Sequence, residues 1–147
     1  MVPEVSLERF DLLVNRPDDD TSFQARVQVM EDAWALFTTR PLLGWGTGSV
    51  SVYGAGQEQK YPHNILLELA AETGLVGLGL YLAVVGMVLE RLLRGWQQRM
   101  ETSHLCLVFL TLVLFTLLNA MVSGDLSDNR DMWLFAGMAL AVSELEP

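Results

Sequence analysis

The stretch that decides the fold is Tyr61–Glu90, YPHNILLELAAETGLVGLGLYLAVVGMVLE. It opens on a Pro-His-Asn turn and passes through a half-polar helical segment carrying Glu68 and Glu72. From Leu75 to Leu89 it then holds no charge. Uncharged apolar runs approaching bilayer length read as membrane helices, and polar groups at their mouths are costly to keep and usually functional. The stretch predicts a membrane helix with chemistry at its outer end.

Two further apolar runs follow, Leu105–Val122 and the shorter Met132–Val142. The 147 residues are 51% hydrophobic, massed into runs rather than scattered at amphipathic spacing. A net charge of −9 with only nine Lys and Arg argues against a nucleic-acid partner, which needs a basic footprint. The single cysteine, Cys106, lies inside an apolar run and reads as a buried structural thiol, with neither a disulfide framework nor a metal cluster. No cofactor is expected.

Arg91, Arg94 and Arg99 sit between the first and second runs, which places Leu92–Ser103 in the cytoplasm by the positive-inside rule. The expected division is an outer-side loop over 1–64 and a first membrane helix over 65–93. A cytoplasmic loop (94–104) and a second membrane helix (105–122) come next, then an outer-side connector (123–131) and a short third helix (132–145). His104 falls at the cytoplasmic end and reads as interfacial. The fold class is therefore an all-α integral membrane protein with two to three transmembrane helices and a large outer-side loop. That loop is long and acidic, and no apolar segment precedes it to carry it across. The chain is accordingly expected to be the C-terminal part of a larger polytopic bundle, with upstream helices as partners. Ala70/Gly74 and Gly79/Ala83, small residues four apart, are expected to be helix contacts.

Within the loop, Arg16-Pro17-Asp18-Asp19-Asp20 reads as solvated linker. Thr21 or Ser22 then caps a helix of about Phe23 to Thr38. Phe23, Val27, Met30, Trp34 and Phe37 share one face of it, and Arg26 borders that face. Periodicity leaves two readings of Arg26: a guanidinium aimed at a lipid phosphate, or a snorkelling side chain covering apolar surface. Gly44, Gly46 and Gly48, at alternate positions after Pro41, permit a tight turn or a close backbone approach to a ligand. The spacing matches neither a dinucleotide fingerprint nor a Walker loop. Val50–Lys60 reads as loop.

Four signals thus fall in fixed order: Arg26 and Trp34 on one helix; Pro41-Leu42-Leu43-Gly44-Trp45-Gly46-Thr47-Gly48-Ser49; His63-Asn64; and Glu72-Thr73-Gly74-Leu75-Val76-Gly77. In that order they resemble the O-antigen ligase and O-antigen polymerase family of bacterial membrane glycosyltransferases, over roughly Thr21 to Leu89. The resemblance implies a multi-pass inner-membrane protein whose outer side is the periplasm, so that 1–64 is a large periplasmic loop carrying the catalytic residues and 123–131 a periplasmic connector. Such enzymes move a glycan from an undecaprenyl-pyrophosphate carrier to a hydroxyl of lipid A–core, a growing polysaccharide or a protein. It implies that His63 is the catalytic histidine and that Arg26 binds the carrier. Asn64 and Glu72 are added as substrate-binding candidates beside them. Asn119 and Arg130 could line the site, while Glu68 reads as interfacial.

The chemistry stands without the family. A glycosyl pyrophosphate already carries a good leaving group, so the site needs a cation for the pyrophosphate and a base for the incoming hydroxyl. Arginine's planar fork suits the first and a neutral imidazole the second. The alternative is a non-catalytic membrane module that binds carrier lipid or partner helices.

Overall fold

The computed structural model describes residues 21–53, 61–97, 103–123 and 129–143. The Arg16–Asp20 linker, Lys60, Arg99 and most of the 123–131 connector lie outside the described residues. Among those described the fold is all-α: α1 (Thr21–Thr39), α2 (Ser49–Tyr53), α3 (Ile65–Gln97), α4 (Ser103–Ala120) and α5 (Arg130–Ser143).

The expected single helix from residue 65 is two helices in series. Gly74, at φ 68° and ψ −168°, breaks α3 in a conformation that only glycine adopts without strain. A break leaves carbonyls unpaired at the end of the first half and N–H groups unpaired at the start of the second. The Pro41–Gly46 turn supplies both sets of partners. Leu75 N–H donates to Pro41 O (2.8 Å) and Val76 N–H to Leu42 O (3.2 Å). Trp45 N–H donates to Ala71 O (3.1 Å) and Gly46 N–H to Glu72 O (2.8 Å). Gly74 is therefore the joint of the fold, not one member of a small-residue contact face with Ala70.

After the break, Leu75–Gln97 extends for about 34 Å, enough for a hydrocarbon core of about 30 Å. It packs with α4 and α5 around Val88, Leu92, Cys106, Leu110, Val113, Ala136 and Ala139. Cys106 is buried as expected, its Sγ lying where a side chain on Gly95 would have to go. Towards the break, Ile65, Leu69, Tyr81, Ala120 and Met132 form a second cluster, in which the Tyr81 hydroxyl donates to Met132 Sδ (3.3 Å).

The outside of this bundle is apolar. Leu80, Leu82, Met87, Leu107, Phe115 and Leu118 are exposed, a surface that lipid satisfies and water does not. Among the described residues, Ile65–Gln97 and Ser103–Ala120 are the two helices long and apolar enough to cross a membrane. The 14 residues of α5 reach only about 21 Å.

Three expectations are corrected here. On α1 the packed residues are Val29 and Ala33, supported by Leu36 and Phe37, against Val50 of α2 and Ala71 of α3. Val27 and Trp34, assigned to the apolar stripe, are exposed. Close approach of Ala33 to the neighbouring helices favours the small-residue face; the packed face is centred roughly 100° from the bulky stripe and keeps Phe37 of it. The Gly79/Ala83 face is a different case, since its expected partners are helices upstream of these residues: among the described residues a side chain on Gly79 would meet nothing within 4 Å, and Ala83 is exposed. Residues 50–53, read as loop, form α2 together with Ser49. Helix α3 also runs on to Gln97, carrying Arg91 and Arg94 as helical residues, with Arg94 paired to Glu90 one turn back.

Candidate functional site at the mouth of the first span

His63 sits in the turn that precedes α3. Its φ of 50° is in the left-handed region, uncommon for a residue with a side chain and several-fold enriched for histidine. The next residue explains how the turn is held. Asn64 caps the helix, its Oδ1 accepting from the N–H groups of Leu66 and Leu67, each at 3.1 Å. Its carbonyl takes Glu68 N–H (3.0 Å). The cap fixes the direction in which the chain enters α3, and so fixes His63 one residue outside it.

The imidazole lies against the Tyr61 ring, with centroids 4.7 Å apart and planes tilted by 57°. Nδ1 is buried and makes no hydrogen bond among the described residues. Burial first, and the Arg26 guanidinium second, hold the His63 pKa below its ordinary value of 6.5. The ring is thus neutral at physiological pH, in the state that accepts a proton.

Arg26 lies on α1, 37 positions before His63 in the chain. It is exposed, and its charge is felt at His63. The fold thereby brings together two of the four residues singled out from the sequence, with Asn64 holding the turn between them and α3.

Glu72 is placed differently. It is buried at the far end of the first half of α3, about 12 Å along the helix axis from Asn64. Its carbonyl is one of the acceptors in the joint. Glu68 is buried as well, which corrects its reading as an interfacial carboxylate. Asn119 is exposed at the end of α4, where its carbonyl accepts from Val122 and Ser123 N–H. Arg130 is exposed at the start of α5.

Sequence reasoning passed over Tyr61, although an aromatic residue two positions before a candidate base was visible there. It also passed over Trp45 as an anchor. The Trp45 Nε1–H lies 2.9 Å from both Leu36 O and Thr39 Oγ1, tying the glycine turn to the end of α1.

Fold and site together define an all-α membrane protein with a neutral imidazole and a guanidinium at the mouth of a span. The O-antigen ligase family model matches residues 4–82, which take in α1, the glycine turn, the histidine turn and α3 past its break. The chain belongs to the O-antigen ligase family. No curated protein and no solved structure matches it. Family and fold indicate a membrane protein of the glycan-ligating kind.

Proposed function

We propose that this chain takes part in transferring a glycan from an undecaprenyl-pyrophosphate carrier to an acceptor hydroxyl, at the periplasmic face of the bacterial inner membrane. The acceptor is a sugar of lipid A–core, a growing polysaccharide or a protein. The observation that supports this reading is the His63 turn at the start of a helix of membrane length, with the charge of Arg26 on a separate helix close enough to lower its pKa.

In the proposed step the acceptor oxygen attacks the anomeric carbon of the donor and its proton passes to His63. The bond from that carbon to the pyrophosphate oxygen breaks, and the pyrophosphate leaves with the electron pair. Arg26 holds the pyrophosphate oxygens and offsets the charge that develops on them. Asn64 accepts two backbone bonds through Oδ1, which leaves its NH₂ group to offer substrate a donor. Glu72 acts on the substrate site through the helix break that it occupies.

The test compares glycan transfer and carrier binding on purified variants of the full-length protein. His63→Ala and His63→Gln should each lose about 10²–10⁴ in rate while carrier binding stays nearly intact. Arg26→Lys keeps the charge but loses the fork, so it should weaken carrier binding more than His63→Ala does. Activity restored by His63→Gln would rule out proton abstraction, and wild-type binding by Arg26→Ala would remove the clamp.

A further inference from the structure

The guanidinium of Arg40 lies over the Trp45 ring, its carbon 3.9 Å from the ring centroid. The indole cannot drift, because its N–H is held at the end of α1 and its backbone N–H is bonded to Ala71 O in the joint. Stacking occupies one face of the guanidinium and leaves its edge N–H donors open. No carboxylate pairs with Arg40 among the described residues. A planar cation with a fixed ring beneath it and free edge donors is prearranged for a phosphate.

Its position says whose phosphate. The turn that follows Arg40 exposes Leu42 (64%) and Leu43 (74%), and the first residues of the span beside them, Leu75 and Val76, are 51% and 52% exposed. Hydrogen bonds from Leu75 and Val76 to Pro41 and Leu42 hold these four side chains in one patch. The patch is continuous with the lipid-facing side of α3, so it lies at the edge of the hydrocarbon. Arg40 is next to Pro41 on the polar side of that edge, at the depth of lipid headgroups.

We infer that Arg40 on Trp45 is a binding site for the headgroup phosphate of a bilayer glycerophospholipid, with Leu42 and Leu43 inserted among the acyl chains beneath it. This site is separate from the Arg26–His63 pair, and its test needs no glycan transfer.

The full chain is placed in phosphatidylcholine nanodiscs, with Trp34, Trp96 and Trp133 replaced by Phe so that Trp45 is the one emitter. Small amounts of spin-labelled phosphatidylglycerol, or of an equally labelled diacylglycerol lacking phosphate, are titrated against its fluorescence. Phosphatidylglycerol should quench at about 5-fold lower mole fraction than diacylglycerol, the effect of one arginine near an anionic surface. Arg40→Ala should abolish the difference, and Arg40→Lys should keep much of it. Far-UV circular dichroism on each variant checks that the helices persist. No quenching of Trp45 by either lipid would overturn the inference, as would a preference that survives Arg40→Ala. Loss of the preference in millimolar inorganic phosphate would assign the site to free phosphate and overturn it too.

Discussion

Gly44 and Gly74 are each pressed against the other's stretch of backbone. A side chain on Gly44 would collide with the Glu72 carbonyl, and one on Gly74 with the Leu42 carbonyl. Both residues also have positive φ, 67° and 68°. Gly46 shares the positive φ (98°) but has open space where a side chain would go. Gly46→Ala should therefore cost only backbone strain, about 1–3 kcal/mol, whereas Gly44→Ala and Gly74→Ala should each cost more. The Gly44→Ala/Gly74→Ala double variant should lose less than the sum, since either change opens the same joint. Thermal unfolding in detergent, followed by circular dichroism, measures all four. Equal losses at Gly44 and Gly46 would mean that the close approach yields without resistance.

The pH response of His63 follows from its surroundings. Its folded pKa lies below 6.5, so the stability gained from the neutral ring is fully present above 6.5 and is lost as pH falls through the lowered value. The acid limb of the transfer rate should accordingly lie below pH 6.5. Arg26→Ala removes the second cause and leaves burial, the larger one. The His63 titration should move up without reaching the ordinary value. Nuclear magnetic resonance of the labelled imidazole reads this directly, and an unchanged titration in Arg26→Ala would separate the two residues.

Tyr61 is expected to orient His63 through its ring rather than its hydroxyl. Tyr61→Phe keeps the face against the imidazole and should transfer glycan at close to the wild-type rate. Tyr61→Ala should lower kcat by roughly 10-fold, a misplacement-sized effect, with little change in KM. A loss in Tyr61→Phe equal to that in Tyr61→Ala would assign the role to the hydroxyl.

Orientation across the membrane can be read with single cysteines. Val52 and Gln97 are exposed at opposite ends of the long helix system, while Cys106 is buried and can be replaced by Ser. In intact cells Val52→Cys should react with an impermeant thiol reagent and Gln97→Cys should not. The reverse pattern would put His63 in the compartment that lacks its proposed substrates.

The apolar runs were enough to find α3, α4 and α5, because a bilayer imposes a long uncharged signature that one sequence displays plainly. The break at Gly74 was hidden. Its glycine sits inside an unbroken helical pattern, and the atoms that stabilise the break belong to residues 41–46, joined to it only by folding. The packed face of α1 was misread for a related reason. Periodicity ranks Val27 and Trp34 above Ala33 by hydrophobicity, yet close packing on Ala71 selects the small side chain. His63 and Arg26 were each visible as residue types; their electrostatic contact depends on how α1 docks, which spacing does not encode.

The joint between the glycine turn and α3 also bears on how freely this sequence can drift. All four of its hydrogen bonds run between main-chain atoms, so the alignment of the glycine turn with the break in α3 is written without side chains. Leu42, Leu43, Leu75 and Val76 surround the joint and contribute only backbone groups to it. In a library randomised over residues 41–48 and 72–77, those four positions should accept many apolar residues while Gly44 and Gly74 accept none. Two residues with nothing beyond Cα hold the register, and the neighbouring side chains stay open to selection by whatever bilayer surrounds them.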